Sequence, residues 1–153
     1  MFSFLRCYGL LSVCKEKGFE VAQGTVLKDP FRDGIFDFAL SIAVIHHMRT
    51  RERRLQAIQE MIRVMRPGAR GLIFVWAFEE NASVRRHKLT ILDGNEQDVL
   101  VPWTTNEAEN AEVHQRYYHL FKKCELDELV VAAGASIDVS GYDRDNYYVI
   151  FNK

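Results

Sequence analysis

The segment FDFALSIAVIHHMRTRERRLQAIQEMIRVMRPGARGLIFVWA, Phe36 to Ala77, decides the fold. It lies within a run, Ile35 to Ile45, that is apolar on both faces, which is what a parallel strand covered by helices on both sides requires. Thr50 then stands as a helix cap with Glu52 in the first turn, and Leu55, Ile58, Met61, Ile62 and Met65 recur at helical spacing. Pro67 and Gly68 read as the helix stop, and GLIFVWA, Gly71 to Ala77, reads as a second buried strand. The segment therefore predicts one β-α-β unit with a right-handed crossover.

Toward the N-terminus, Leu10, Leu11 and Cys14 share one face of a helix predicted over 8–17, with Gly18 as its stop. FEVAQGTV, Phe19 to Val26, reads as a short strand, and DPFRDG, Asp29 to Gly34, as a turn. Toward the C-terminus, periodicity lapses from Glu79 to Gln115, which predicts a long functional or disordered loop. Order returns at RYYHLF, Arg116 to Phe121, and Leu126, Leu129, Val130 and Ala133 then share a helix face that Gly134 terminates. The ending, Ala135 to Lys153, reads as two strands around a turn. Strands alternating with helices over 153 residues predict a single α/β domain.

With 48% hydrophobic and 27% charged residues and a formal net charge of -1, the chain is not a globally basic nucleic-acid binder, although local basic patches stay open. Cys7, Cys14 and Cys124 are odd in number and widely spaced, so neither a disulfide framework nor zinc-finger spacing is expected. A reducing setting, cytoplasmic or nuclear, is the expectation. MFSFLRCYGLLSVC is apolar, but Arg6 interrupts it and no small-residue cleavage site follows, so it is not read as a signal peptide.

Pro30 to Glu80, PFRDGIFDFALSIAVIHHMRTRERRLQAIQEMIRVMRPGARGLIFVWAFEE, resembles the central block of the eukaryotic tRNA wobble-uridine carboxymethyl methyltransferases, including the methyltransferase domain attached to an AlkB-type hydroxylase. QDVLVPW, RYYHLF and SGYDRDNYYVIF extend the similarity over most of the chain from about Gly18 onward. The resemblance implies a class I methyltransferase architecture, an α/β Rossmann-like sheet with a C-terminal antiparallel hairpin, holding S-adenosylmethionine at the carboxyl ends of its strands. It implies methyl transfer to the carboxylate of 5-carboxymethyluridine at the tRNA wobble position. Such a carboxylate, with a pKa of about 4, is already ionised at neutral pH, so positioning outweighs proton transfer.

The resemblance also assigns residues. His46 becomes a substrate-positioning donor and Trp76 a stacking face for the target base, the two catalytic candidates. Thr25, Val26, Ser41, Ile42 and Ala43 border the cofactor, while His47, Arg49, Arg85, Arg86, Arg116, Tyr117, Tyr118 and His119 face the substrate or tRNA. On residue chemistry alone the histidine pair is most often a solvated strand end or helix cap, Trp76 is equally a core residue, and the arginines are a solvated rim. Adjacent histidines in a strand point to opposite faces, and no metal-ligand spacing accompanies them, so no metal site is expected. A small zinc-containing activator protein is implied as a partner, adding a strand near Phe19 to Val26.

The chain departs from the family pattern at its start. No first strand with a glycine-rich turn precedes Gly18, and the fold is expected to lack both. Leu5 stands where an acidic residue would grip the ribose, and Thr25 where an aspartate would read the adenine. The expectation is an N-terminally shortened chain whose third and fourth family strands are parted. A non-catalytic module that keeps the tRNA or activator surface is the second expectation.

Overall fold

The computed structural model describes residues 2–5, 7–78, 89–104 and 112–153, the first group as backbone only. In chain order the elements are β1 (Phe2–Leu5), α1 (Tyr8–Glu16), β2 (Glu20–Gln23), β3 (Phe36–Ile42), α2 (Arg51–Val64), β4 (Met65–Trp76), β5 (Thr90–Leu92), β6 (Asn95–Thr104), β7 (Val113–His119), α3 (Glu125–Ala132), β8 (Ser136–Asp143) and β9 (Asn146–Asn152). A 3-10 turn at Ile45–His47 joins β3 to α2. The main sheet has the order β3-β4-β9-β8, with β3 parallel to β4 and the C-terminal strands antiparallel. β1 and β2 form a separate parallel pair, so the parting of the two sheet halves is as expected.

The β-α-β unit stands, with two boundaries moved. The strand ends at Ile42 rather than Ile45, because Ala43 turns left-handed at φ 57 and donates its N–H to the Phe74 carbonyl at 3.1 Å. The helix ends at Val64, before Pro67. A proline ring clashes with the carbonyl four residues back and disfavours helical geometry at the residue before it, so the chain is already extended at Met65. The carbonyls freed at the helix end accept from Gly34 N–H (3.0 Å to Arg63) and Ile35 N–H (2.9 Å to Val64), which binds the preceding turn to α2.

One face of the main sheet carries the core. Ile58 and Ile62 of α2 and Leu126, Leu129 and Val130 of α3 pack on Ile73, Val75, Val149 and Phe151. A Cβ on Gly71 would lie 2.2 Å from the Phe151 ring, so only glycine lets that ring cross the sheet. The opposite face corrects the expectation of a strand covered on both sides: Phe38, Leu40 and Ile42 are 52, 49 and 58% exposed.

The expected long loop over 79–115 is also corrected. β5, β6 and the start of β7 fall inside it and make an antiparallel sheet in the order β5-β6-β7. Val99, Val101, Tyr118 and Leu120 form its own small core, against which Trp76, Phe78 and Leu89 pack. The junction to the main sheet is a bridge between Ala77 and Phe121, where Phe78 N–H donates to the Phe121 carbonyl (2.8 Å) and Phe121 N–H to the Trp76 carbonyl (2.9 Å).

Candidate functional site

That junction brings the end of β7 beside the carboxyl ends of β3 and β4. Ile42 lies in register with Phe74, and Trp76 closes β4. The 3-10 turn then folds His46 under Tyr118 and Trp76, with ring centroids 4.7 and 5.8 Å away, and His47 against Tyr118 at 4.4 Å. Trp76 and Tyr118 stack at 4.4 Å and 25°. The histidines therefore belong to a turn, not to a strand with opposed side chains; their rings meet edge to face at 4.5 Å.

His46, which the resemblance makes a substrate-positioning donor, is 0% exposed and so is shut away from solvent. Its Nδ1 accepts the Trp76 N–H at 3.2 Å. A neutral imidazole that accepts at Nδ1 carries its proton on Nε2, and that Nε2 is buried with no partner among the described residues. Burial lowers the imidazole pKa to about 3, with the charges of His47 and Arg116 adding to the effect, so the ring is a neutral donor and not an acid or base at physiological pH. The His47 pKa is also lowered, again mainly by burial; its Nδ1 donates to the Tyr117 carbonyl at 2.9 Å and pins the turn to β7.

The remaining candidates divide. Ser41, Ile42 and Ala43 stand together at the end of β3, the first half-buried and the others exposed. Thr25 forms a tight turn with Lys28, its hydroxyl accepting Leu27 N–H at 3.4 Å, while Val26 packs against the main core. Arg49 pairs with Asp93 at 2.8 Å on the surface. Arg116 is exposed, its guanidinium 5.7 Å from the Tyr118 ring centre. Tyr118, expected to face the substrate or tRNA, is only 4% exposed, and it covers one face of the half-buried Trp76. Tyr117 donates its hydroxyl to Asp98, and burial first, then that bond, raises the phenol pKa. Arg85 and Arg86 lie outside the described residues.

His119 departs most plainly from the expectation that it faces the substrate or tRNA. Its Nδ1 lies 2.8 Å from Asp98 and its Nε2 2.7 Å from Glu125, and the ring is 5% exposed. Gln97 Nε2 donates to Glu125 at 2.8 Å, and the Arg54 guanidinium approaches the same carboxylate at 3.8 Å. Burial alone would raise the Asp98 and Glu125 pKa values, but hydrogen bonds from Tyr117 and His119 to the first and from His119 and Lys122 to the second outweigh it and hold both low. This clasp ties β6, β7, α2 and α3 together. Sequence reasoning missed it, and it missed Trp103 and His114. The alternation of Val99, Val101 and Trp103 was the signal for the latter pair's strand.

A sheet of this order, with the site at the carboxyl ends of β3 and β4, defines the class: the fold is that of the S-adenosylmethionine-dependent methyltransferases. A solved SAM-dependent methyltransferase from Methanosarcina mazei superimposes with a TM-score of 0.79 at 17% identity, covering 99% of this chain and 81% of that one. The CcbJ methyltransferase from Streptomyces caelestis gives 0.79 at 10% identity, covering 99% and 73%. Residues 7–73 match the family described as "Methyltransferase domain". The tRNA (carboxymethyluridine(34)-5-O)-methyltransferase of Schizosaccharomyces pombe is 43% identical, covering 97% of this chain and 70% of the relative. The Xenopus tropicalis protein of the same name, alkbh8, is 33% identical over 97% of this chain and 31% of its own length. The chain belongs to the tRNA carboxymethyluridine methyltransferase family.

Proposed function

We propose that this chain methylates the carboxylate of 5-carboxymethyluridine at the tRNA wobble position. The observation that carries the reading within the site is the unspent Nε2–H of His46, buried where β3, β4 and β7 converge. A buried donor without a partner is destabilising unless something else satisfies it, and a carboxylate or carbonyl oxygen of the substrate is the matching acceptor. S-adenosylmethionine supplies the methyl group on a sulfonium. Ser41, Ile42 and Ala43 fit its adenosyl part, since Ile42 offers exposed apolar surface at the strand end and Thr25 an exposed hydroxyl. β1 adds no ribose-binding carboxylate, because it closes on Leu5. The work of this chain is to orient and dehydrate the nucleophile: the neutral His46 holds it, and Tyr118 and Trp76 wall off water.

The test is methyl transfer from labelled S-adenosylmethionine to tRNA carrying 5-carboxymethyluridine. His46→Ala is expected to lower kcat/KM by roughly 10- to 100-fold, the loss of one buried hydrogen bond to a charged group. Cofactor affinity stays within about twofold, and His46→Gln, which keeps an N–H donor, recovers part of the rate. Equal loss of cofactor binding and transfer would make His46 structural and sink the assignment.

The same reading seats a small zinc-containing activator on β2. That strand pairs on one side only among the described residues, and Phe19 beside it is 43% exposed over a depression lined by Lys15, Glu20 and Val21. Phe19→Asp should abolish co-purification with the activator; undiminished capture removes the placement.

A further inference from the structure

The outer half of the β6-β7 ribbon is built for something its inner half is not. Register pairs Val99 with Tyr118, Val101 with Arg116 and Trp103 with His114, and residues two apart share a face, so all six side chains line one side. The inner rungs are closed, with Val99, Val101 and Tyr118 at 1, 2 and 4% exposure. The outer rung is open: Trp103 is 46% exposed and the His114 side chain 52%. Between them lies Arg116, its guanidinium carbon 5.6 Å from the Trp103 ring centre and 5.7 Å from that of Tyr118. Trp103 and His114 face each other at 6.0 Å and 30°.

We infer that Trp103, His114 and Arg116 form a stacking platform for an unpaired base of the anticodon loop, a few nucleotides along from the one whose modified base enters the His46 site. Two residues of strand advance about 7 Å, so the Trp103 rung lies roughly 14 Å from Tyr118, a span of a few unstacked nucleotides. The indole supplies a π-face that accepts any base, and an arginine laid across two rings keeps its planar fork directed outward for a phosphate. Among the described residues Arg116 has no carboxylate partner, whereas Arg49 and Arg63 are paired. In a chain of net charge -1, a cation between rings with no described carboxylate partner attracts phosphate locally, without general affinity for polyanions. Bases of a duplex are stacked inside and cannot use such a platform, whereas those of a loop can.

This platform rests on the tRNA reading above. It is tested by titrating the full chain with an anticodon stem-loop RNA, following both affinity and tryptophan fluorescence. The chain has two tryptophans, so Trp103→Phe leaves Trp76 as the sole indole. Loop binding should quench the wild type strongly and the Trp103→Phe variant weakly. Trp103→Ala should bind roughly 5- to 100-fold more weakly, with Trp103→Phe retaining much of the affinity. Arg116→Ala should lower the salt slope by about one. A paired duplex of the same length should show none of these differences. If the wild type binds the stem-loop but all three variants match it in affinity and quenching, the platform is wrong and the tRNA reading survives; if the wild type binds no stem-loop RNA, both fall.

Discussion

His46 and His119 are both shut away from solvent, and they differ in what holds their nitrogens. His119 is enclosed by Asp98 on one side and Glu125 on the other, and both of its nitrogens are spent inside the protein. His46 spends Nδ1 on the backbone of Trp76 and leaves Nε2 unspent. Burial alone therefore does not separate the two histidines; the count of satisfied nitrogens does. The difference breaks if the two residues respond alike to truncation. His119→Ala leaves two carboxylates facing each other in a largely buried space and should lower unfolding free energy by about 3 kcal/mol. His46→Ala should cost on the order of 1–2 kcal/mol, the penalty of an orphaned Trp76 N–H, while its main effect falls on methyl transfer. Urea unfolding of both variants decides it, and equal losses would abolish the distinction.

How much of this was legible in the sequence follows from the range of each interaction. The β-α-β unit was readable because Ile58, Ile62 and their neighbours repeat locally, and the Thr50 cap was readable because its partner, Arg53 N–H, is three residues away. β6 was hidden because charged and polar residues dominate 79–115 and mask the alternation of Val99, Val101 and Trp103; Pro102, too, would argue against a central strand. Among the described residues β5 pairs with β6 no further than Leu100, and Pro102 stands opposite Gln115 of β7, so no second described strand asks it for a donor. The clasp was not legible at all, since Arg54, Asp98, His119 and Glu125 meet only through tertiary packing. The two-faced apolar pattern of β3 was read correctly as apolar and wrongly as covered, because a strand's composition does not state whether a second layer packs on it. At the site, the complete burial of His46 was not legible, because it depends on Tyr118 of β7, a strand whose first residues fall inside the stretch that reads as a loop.

A smaller effect sharpens the same comparison through pH. The folded His46 imidazole titrates at about 3 against an ordinary 6.5, mainly because burial penalises its charged form, with His47 and Arg116 adding repulsion. The unfolded chain therefore takes up the proton first as pH falls. The stabilisation is complete above about 6.5 and drains away toward 3, at roughly 1.4 kcal/mol per pH unit, or about 2 kcal/mol by pH 5. His47 contributes in the same direction. The clasp behaves differently. Asp98 and Glu125 have folded values held below their ordinary 3.8 and 4.5, so their contribution persists through this window and is lost only at lower pH. Between pH 6.5 and 5, then, the His46 side of the molecule weakens while the His119 side does not lose its carboxylate contribution. His46→Gln, with no proton to gain, should show a flatter stability profile over that interval than the wild type. Parallel profiles would mean that His46 can be protonated in place, and a neutral Nε2–H donor would no longer describe it.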